Sequence, residues 1–256
     1  MAIERTLVQI RERSILELLD LGLVVVRQRP ITLGLSAVAG IAPFYLLNLW
    51  LFAIGGEEAT WFLGSTLWML EAPLATAPLT VVLGGMMFGS RQTPAKVLGS
   101  LYRASFRLIL LQGFLRYLVF FFIPVRMAFA NPIIILERGK LWKIFSRGGD
   151  LANGRGSELV VLWFCQALLT FLFSMMFLIG VSRIIQVFLA EDLSFEPPED
   201  LSLASWKIQV PIWIVTSFFA IVRFLLYIDQ RIRLEGWEVE LRLREVASTM
   251  KEASRW

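Results

Sequence analysis

The chain has 256 residues, of which 57% are hydrophobic, and its mean hydropathy is +0.66. Soluble domains are usually about 45–50% apolar, so the composition argues against a soluble globular protein and favours one that faces lipid. The chain has no histidine and one cysteine, Cys165. It therefore lacks the commonest general base and metal ligand, and it cannot form an internal disulfide.

The first 30 residues predict an amphipathic helix, with five arginines and no small-residue cleavage site of the kind that ends a signal peptide. Between residues 3 and 25, one helical face carries Ile3, Leu7, Ile10, Ser14, Leu18, Leu21 and Val25. Such a helix either lies along the membrane surface, with its basic groups among the headgroups, or packs on the rest of the protein.

Four apolar segments predict transmembrane helices at 31–54, 67–89, 159–181 and 206–228. Short acidic loops are expected at 55–58 and 191–205. Small residues on the first two spans favour close helix packing. Because the apolar segments run almost from end to end, we expect a single membrane domain over 1–256, with membrane segments at 31–228 and a cytosolic helix at 229–256.

Residues 108–136 are apolar but contain Pro124 and Pro132. A straight helix of this length would extend about 43 Å, too long for one unkinked span, and prolines bend or break helices. We therefore expect a helical hairpin, which is either re-entrant or makes two short crossings. The predicted fold is all-α, with four full spans plus this hairpin and up to six crossings.

The distribution of basic residues predicts the orientation. Residues 1–30, 90–107, 137–157 and 229–256 hold five, four, five and six basic residues, which is 20 of the 25 lysines and arginines. Loops rich in lysine and arginine stay in the cytoplasm, and all four regions can do so only if 108–136 makes an even number of crossings. A five-crossing topology is the alternative. The expected location is a bacterial inner membrane, with both termini cytoplasmic.

Several charged residues interrupt the apolar segments. Glu71 and Arg116 lie deepest, where a charge is costly and usually faces a partner inside the bundle. They either form a structural ion pair or line a path for a substrate or proton. Arg126 lies at the expected tip of the hairpin, and Arg223 is close enough to the predicted helix end to extend its side chain to the membrane surface.

The C-terminal tail is predicted to be helical. Residues 237–244 alternate as in a strand, but a lone strand after a membrane helix has no sheet to join. Ile228, Ile232, Val239, Leu243, Val246 and Met250 share one helical face. Leu234, Trp237 and Leu241 form a second stripe, predicted to contact another protein or to fold back on the cytosolic loops. Arg231 and Arg233 are predicted to hold anionic lipid headgroups.

The segment from Tyr227 to Glu238, with the pattern YID-x-R-x-R-x-EGW-E, resembles the closing signature of a group of bacterial polytopic membrane proteins. That group is similar to the membrane domain attached to some glycerophosphoryl diester phosphodiesterases. Residues 131–137, 141–147 and 16–30 match less specifically, and Gly148 replaces a serine usual in the group. The phosphodiesterase catalytic domain is absent, so the resemblance implies about six membrane segments and no hydrolase activity.

No catalytic motif, cofactor-binding motif or metal-ligand spacing is found in the sequence, so we expect neither enzymatic activity nor a cofactor. The basic segments lie beside apolar spans, which favours anionic lipid over nucleic acid as a partner. The leading hypothesis is a non-enzymatic subunit or scaffold of an inner-membrane complex that binds other membrane proteins. The alternative is a transporter or lipid-handling protein with a cavity near Glu71 and Arg116.

Overall fold

The computed structural model describes residues 14–87, 93–115, 127–137, 141–153, 155–189 and 205–235. Within these ranges every regular element is helical and no strand is present, which confirms the predicted all-α class. Four helical segments are long and apolar enough to cross a membrane: Pro30–Ile54, Thr66–Met87, Gly156–Phe188 and Trp206–Leu234. They coincide with the four predicted spans, so the chain has the architecture of a multi-pass membrane protein.

The first helix, α1 (Ile15–Gln28), begins at a capping box in which Ser14 and Glu17 bond reciprocally to each other's backbone N–H. Leu18 and Val25 of the predicted apolar face are buried, together with Gly22. A Cβ atom on Gly22 would lie 3.1 Å from a methyl group of Val222 in the last span. The described part of the amphipathic helix therefore packs on the protein, and its position along the membrane surface stays a prediction.

The second helix, α2 (Pro30–Ala75), is assigned as helical over 46 residues but turns back on itself. In a straight helix Asn48 and Glu71 would be about 35 Å apart, yet Nδ2 of Asn48 lies 2.8 Å from Oε2 of Glu71. The first two spans are thus adjacent antiparallel arms. Residues 55–58 were predicted to form a short acidic loop, but their backbone is helical.

The second span is interrupted at Thr76, between the end of α2 and α3 (Ala77–Met87). Pro78 has no N–H to donate to the preceding turn. The Thr76 hydroxyl donates to the carbonyl oxygen of Ala72 at 2.7 Å and caps the end of α2. The break is buried, which is the condition under which irregular backbone is tolerated at membrane depth.

The two arms of the predicted hairpin lie side by side. The first arm, predicted to begin at residue 108, is described as the π-helical stretch Ile109–Leu115, which continues α4 (Pro94–Leu108) from the basic segment before the hairpin. The other is α5 (Ala130–Pro132), continued by the π-helical stretch Ile133–Glu137. Gln112 of the first arm donates to Asn131 of the second at 3.0 Å, so the chain returns beside itself. The expected bend at Pro124 lies outside the described residues.

The remaining helices are α6 (Leu141–Ala152), α7 (Gly156–Leu189) and α8 (Trp206–Glu235). Helix α8 contacts α1, α2, α3, α6 and α7 and is the centre of the bundle. The most apolar windows of the second and fourth spans are 61% and 72% buried, whereas those of the first and third are 11% and 22% buried. The first and third spans therefore form the outer layer. The last helix continues past residue 228 to Glu235, and the rest of the predicted tail lies outside the described residues.

The crossing of the first two spans depends on Gly40. A Cβ atom there would collide with the backbone carbonyl oxygen of Ala75 and lie 3.0 Å from Cγ of Pro78. We expect Gly40→Ala to lower the free energy of unfolding by about 1–3 kcal/mol, the usual effect of overpacking, measured by thermal unfolding in detergent. Gly34→Ala on the same span is the control, because its Cβ would have no heavy atom within 4 Å. Equal melting temperatures for the two variants would contradict this packing.

Candidate functional site

A cavity of about 290 Å³ lies inside the bundle, between the interrupted second span, the hairpin arms, α7 and α8. Thr76 and Ala220, near the middle of the second and fourth candidate spans, both line it. It is therefore at membrane depth, where polar lining groups are costly and usually serve a function. The polar side chains in its wall are Thr76, Thr80, Gln112, Asn131, Gln166 and Arg223.

One wall is built around the break in the second span. Asn131 donates through Nδ2 to the carbonyl oxygen of Pro73 at 2.6 Å, and its Oδ1 accepts from Gln112 at 3.0 Å. Both amides are almost fully buried. This chain of bonds satisfies a carbonyl group beside the break, and it joins both hairpin arms to the second span.

The opposite wall carries a charge. Arg223 of α8 donates through Nη1 to Oε1 of Gln166 on α7 at 2.6 Å, and both side chains line the cavity. The extension of α8 to Glu235 corrects the sequence interpretation of Arg223. The residue lies near the middle of the span and not one turn from its end, so its side chain is directed to the cavity and not to the membrane surface.

Glu71 lies beside the cavity on the same helix as Ala72 and Pro73, which line it. Its side chain is 4% exposed and accepts a hydrogen bond from Asn48. Among the described residues, Oε1 of Glu71 and Oδ1 of Asn48 have no hydrogen-bond partner. The predicted partner Arg116, and also Arg126, lie outside the described residues, so the pairing of Glu71 with Arg116 stays a prediction.

A second polar group, the Glu137 cluster, joins the π-helical stretch Ile133–Glu137, α6 and α8 near the end of the last span. It consists of Glu137, Arg147, Tyr227 and Arg231. Oε1 of Glu137 accepts a hydrogen bond from the Tyr227 hydroxyl at 2.7 Å and lies 3.8 Å from Nε of Arg231. Its Oε2 lies 3.2 Å from Nε of Arg147. One carboxylate thus connects three helices.

The adjoining Asp229 cluster attaches the start of α7 to the opposite side of α8. Oδ2 of Asp229 lies 3.0 Å from Nη1 of Arg155 and 2.9 Å from Nε of Arg233. Arg155 also pairs with Glu158 at 3.0 Å. Asp229 is 3% exposed, so two guanidinium groups compensate a carboxylate that is buried.

These two clusters contain four residues of the tail signature noted in the sequence. Tyr227 and Arg231 belong to the Glu137 cluster, whereas Asp229 and Arg233 belong to the Asp229 cluster. Arg231 and Arg233, predicted to bind lipid headgroups, thus contact acidic residues of the chain itself. Their contact with lipid stays a prediction, and the predicted partner surface at Trp237 and Leu241 lies outside the described residues.

Sequence reasoning found Glu71 but missed the neutral polar residues around the cavity. Asn48, Gln112, Asn131 and Gln166 are amides inside apolar segments, and each is buried. Their position inside apolar segments marks them in the sequence, because a buried amide needs hydrogen-bond partners that lipid cannot supply.

Within the described residues, no group of three or more Cys, Asp or Glu side chains is placed to hold a metal ion. The cavity can bind through hydrogen bonds, one guanidinium charge and aromatic contacts. No family model, curated protein or solved structure matches the chain. The suspected family resemblance therefore stays a prediction.

Substitution of Asp229 is expected to lower the stability of the protein strongly. Removing one partner of a buried ion pair costs about 3–5 kcal/mol, so we expect Asp229→Ala to lower the free energy of unfolding by roughly that amount. The control is Asp150→Ala on the exposed face of α6, expected to change it by about 0.5 kcal/mol or less. Denaturant unfolding in detergent measures both variants. Similar small losses in the two would mean that the cluster does not hold α7 against α8.

Proposed function

We propose that this protein binds a small solute or a lipid group in its intramembrane cavity and acts as a transport or lipid-handling protein. The observation that supports this most directly is the cavity itself, which combines Arg223 and buried amides with an interrupted span at membrane depth. Polar groups in such positions often mark a binding site, and broken helices in transporters often line one.

The two walls of the cavity belong to different parts of the bundle. Pro73, Thr76 and Asn131 come from the interrupted span and the hairpin, whereas Gln166 and Arg223 come from α7 and α8. A ligand between them would contact both parts at once. Movement of one part against the other would then change access to the ligand, as in proteins that bind at the interface of two membrane bundles. The proposal requires no chemical change in the ligand, in keeping with the expected lack of enzymatic activity.

The second candidate function is a subunit of a larger membrane complex. It is favoured by the exposure of the first and third spans, whose apolar windows are only 11% and 22% buried. These faces would contact either lipid or other membrane proteins. Purification in mild detergent separates the two functions, because a stoichiometric partner protein supports the subunit and a retained small molecule supports the binding protein.

A substitution that fills the cavity tests the first function. Ala167 lines the cavity and is exposed, so Ala167→Phe should reduce the space without disrupting the core. We expect loss of the small molecule or lipid retained by the wild-type protein, measured by native mass spectrometry, with little change in melting temperature. Leu168→Phe is the matched control, since Leu168 is 47% exposed and does not line the cavity. Retention in both variants would argue against binding there.

The proposal places the protein in a bacterial inner membrane with both termini in the cytoplasm, which the distribution of basic residues supports. Arg147 is paired with Glu137, so the exposed Asp150 is the better probe of the 137–157 segment. In a background that lacks Cys165, we expect Asp150→Cys to react in intact cells only with membrane-permeant reagents. Ser194→Cys, in the acidic segment, should react with impermeant ones. The reverse pattern would show the opposite orientation.

A further inference from the structure

We propose that a groove on the outside of the bundle holds one anionic phospholipid, with its acyl chains between the first and third spans and its phosphate at Arg27 and Arg29. This site is separate from the cavity described above, and it does not depend on the binding function proposed for that cavity. The proposal follows from the position and lining of the groove, from its length and from the charges at one end of it.

The groove, with a volume of about 900 Å³, lies between the first span, α7 and α8. Its floor is formed by buried side chains of α8, which include Trp213, Val215 and Phe219. Val38 of the first span and Leu169 of α7 also line it, and they are 62% and 44% exposed. The groove therefore opens to the outside of the bundle, on the layer formed by the first and third spans.

The lining of the groove favours hydrocarbon chains. Among the described residues that line it, only Tyr45, Trp213 and Ser217 carry polar side-chain atoms. A polar solute would lose its hydrogen bonds to water there, at a cost that an acyl chain does not have. Membrane helices pack on each other mainly through small residues, whereas Trp213, Phe218 and Phe219 are bulky. The lining thus fits flexible acyl chains better than the helix of a partner protein.

The length of the groove fits a lipid of one leaflet. Its lining on α2 extends from Pro30 to Tyr45, a distance of about 22 Å along a helix. One leaflet contributes about half of the hydrocarbon core of a bilayer, or roughly 15 Å. The volume of about 900 Å³ is near the upper end of the range for small-molecule pockets. Acyl chains can therefore stay in the groove from the membrane surface to the middle of the bilayer.

Two arginines border one end of the groove and favour an anionic headgroup. Val26 and Pro30 line the groove, and Arg27 and Arg29, which lie between them in the sequence, are exposed. Pro30 begins the first candidate span, so the arginines lie where that span meets the headgroup region. Within the part of the chain that the structure describes, neither arginine forms an ion pair. Guanidinium groups bind phosphate oxygens well, and basic residues at a membrane surface attract anionic lipid.

The experiment compares two lipids that have the same acyl chains and differ in the headgroup. Palmitoyl-oleoyl phosphatidylglycerol is anionic, whereas palmitoyl-oleoyl phosphatidylcholine is zwitterionic. Each is titrated into the full-length protein in neutral detergent, and native mass spectrometry gives the affinity for the first bound lipid. We expect the wild-type protein to bind phosphatidylglycerol about ten- to thirtyfold more tightly, the effect of two basic residues near a membrane surface.

Substitution of the arginines tests the headgroup site. The double variant Arg27→Gln/Arg29→Gln should bind the two lipids with nearly equal affinity, because the charges that distinguish the headgroups are gone. The matched control is Lys96→Gln/Arg103→Gln, which removes two exposed basic residues of α4 that do not line or border the groove. This control should keep the full preference for phosphatidylglycerol.

A larger side chain in the groove tests the site of the acyl chains. Gly34 lines the groove, and a Cβ atom there would have no heavy atom within 4 Å, so Gly34→Phe fills the groove without disturbing the core. We expect it to weaken binding of both lipids by about tenfold or more, since each methylene group displaced from the groove costs about fourfold. Leu35→Phe is the control, because Leu35 is exposed and does not line the groove. Should Gly34→Phe not accumulate, Ala42→Phe in the same groove replaces it.

Each outcome decides the proposal. A phosphatidylglycerol preference that the arginine double variant loses and its control keeps, together with weaker binding in Gly34→Phe alone, would support it. Equal affinity of the wild-type protein for the two lipids would overturn it, as would a preference or an affinity that neither test variant changes. A protein partner or a dimer that Gly34→Phe removes would show that a protein covers the groove, and it would also overturn the proposal.

Discussion

Asn131 and Pro73 form the hydrogen bond on which much of the interior depends. In lipid, a backbone carbonyl group beside a break in a helix has no water to bond, so the protein itself must provide a donor. Asn131 provides one at 2.6 Å and is itself held by Gln112. The break, the hairpin and the polar wall of the cavity are therefore parts of one arrangement. The Thr76 hydroxyl is the second donor to this carbonyl group, at 3.3 Å, so the shorter bond from Asn131 is the one that connects the break to the hairpin.

The charged residues of α8 have two different roles according to their position. Near the end of the helix, Asp229 is paired with Arg155 at the start of α7 and with Arg233 of α8 itself, and Arg231 is paired with Glu137. Their main effect is to hold neighbouring helices together, because each charge is compensated by the chain. Arg223, farther inside, contacts the neutral amide of Gln166 in a cavity. Its side chain lines the cavity near the middle of the span, which distinguishes it from the charged residues at the end of α8.

The bundle is also asymmetric in its exposure. The second and fourth spans enclose the polar interior, whereas the first and third turn most of their apolar side chains outward. Lipid can cover an outward-facing apolar surface as well as a partner protein can. The proposed binding of a ligand inside the bundle and the proposed association with other proteins outside it are thus compatible with each other.

The sequence by itself determined the all-α class and the four spans, because long runs such as 31–54 and 206–228 are too apolar for any other environment. It also identified Glu71 as a buried charge and marked the segment that begins at Tyr227 as distinctive. These features are local, since each depends on the composition of one continuous stretch.

Only the tertiary structure decided which polar residues meet. Gln166 and Arg223 are 57 positions apart, and Tyr227 and Glu137 are 90 apart. Periodicity assigns a side chain to a face of its helix, but it does not say which helix lies opposite. That depends on packing, such as the approach of Gly40 to Ala75, and on where each helix ends. Tertiary contacts also decided where Arg223 lies. The helix continues to Glu235, past the point where composition predicted the end of the span, and charged residues after Ile228 are paired with Arg155, with Glu137 and with each other.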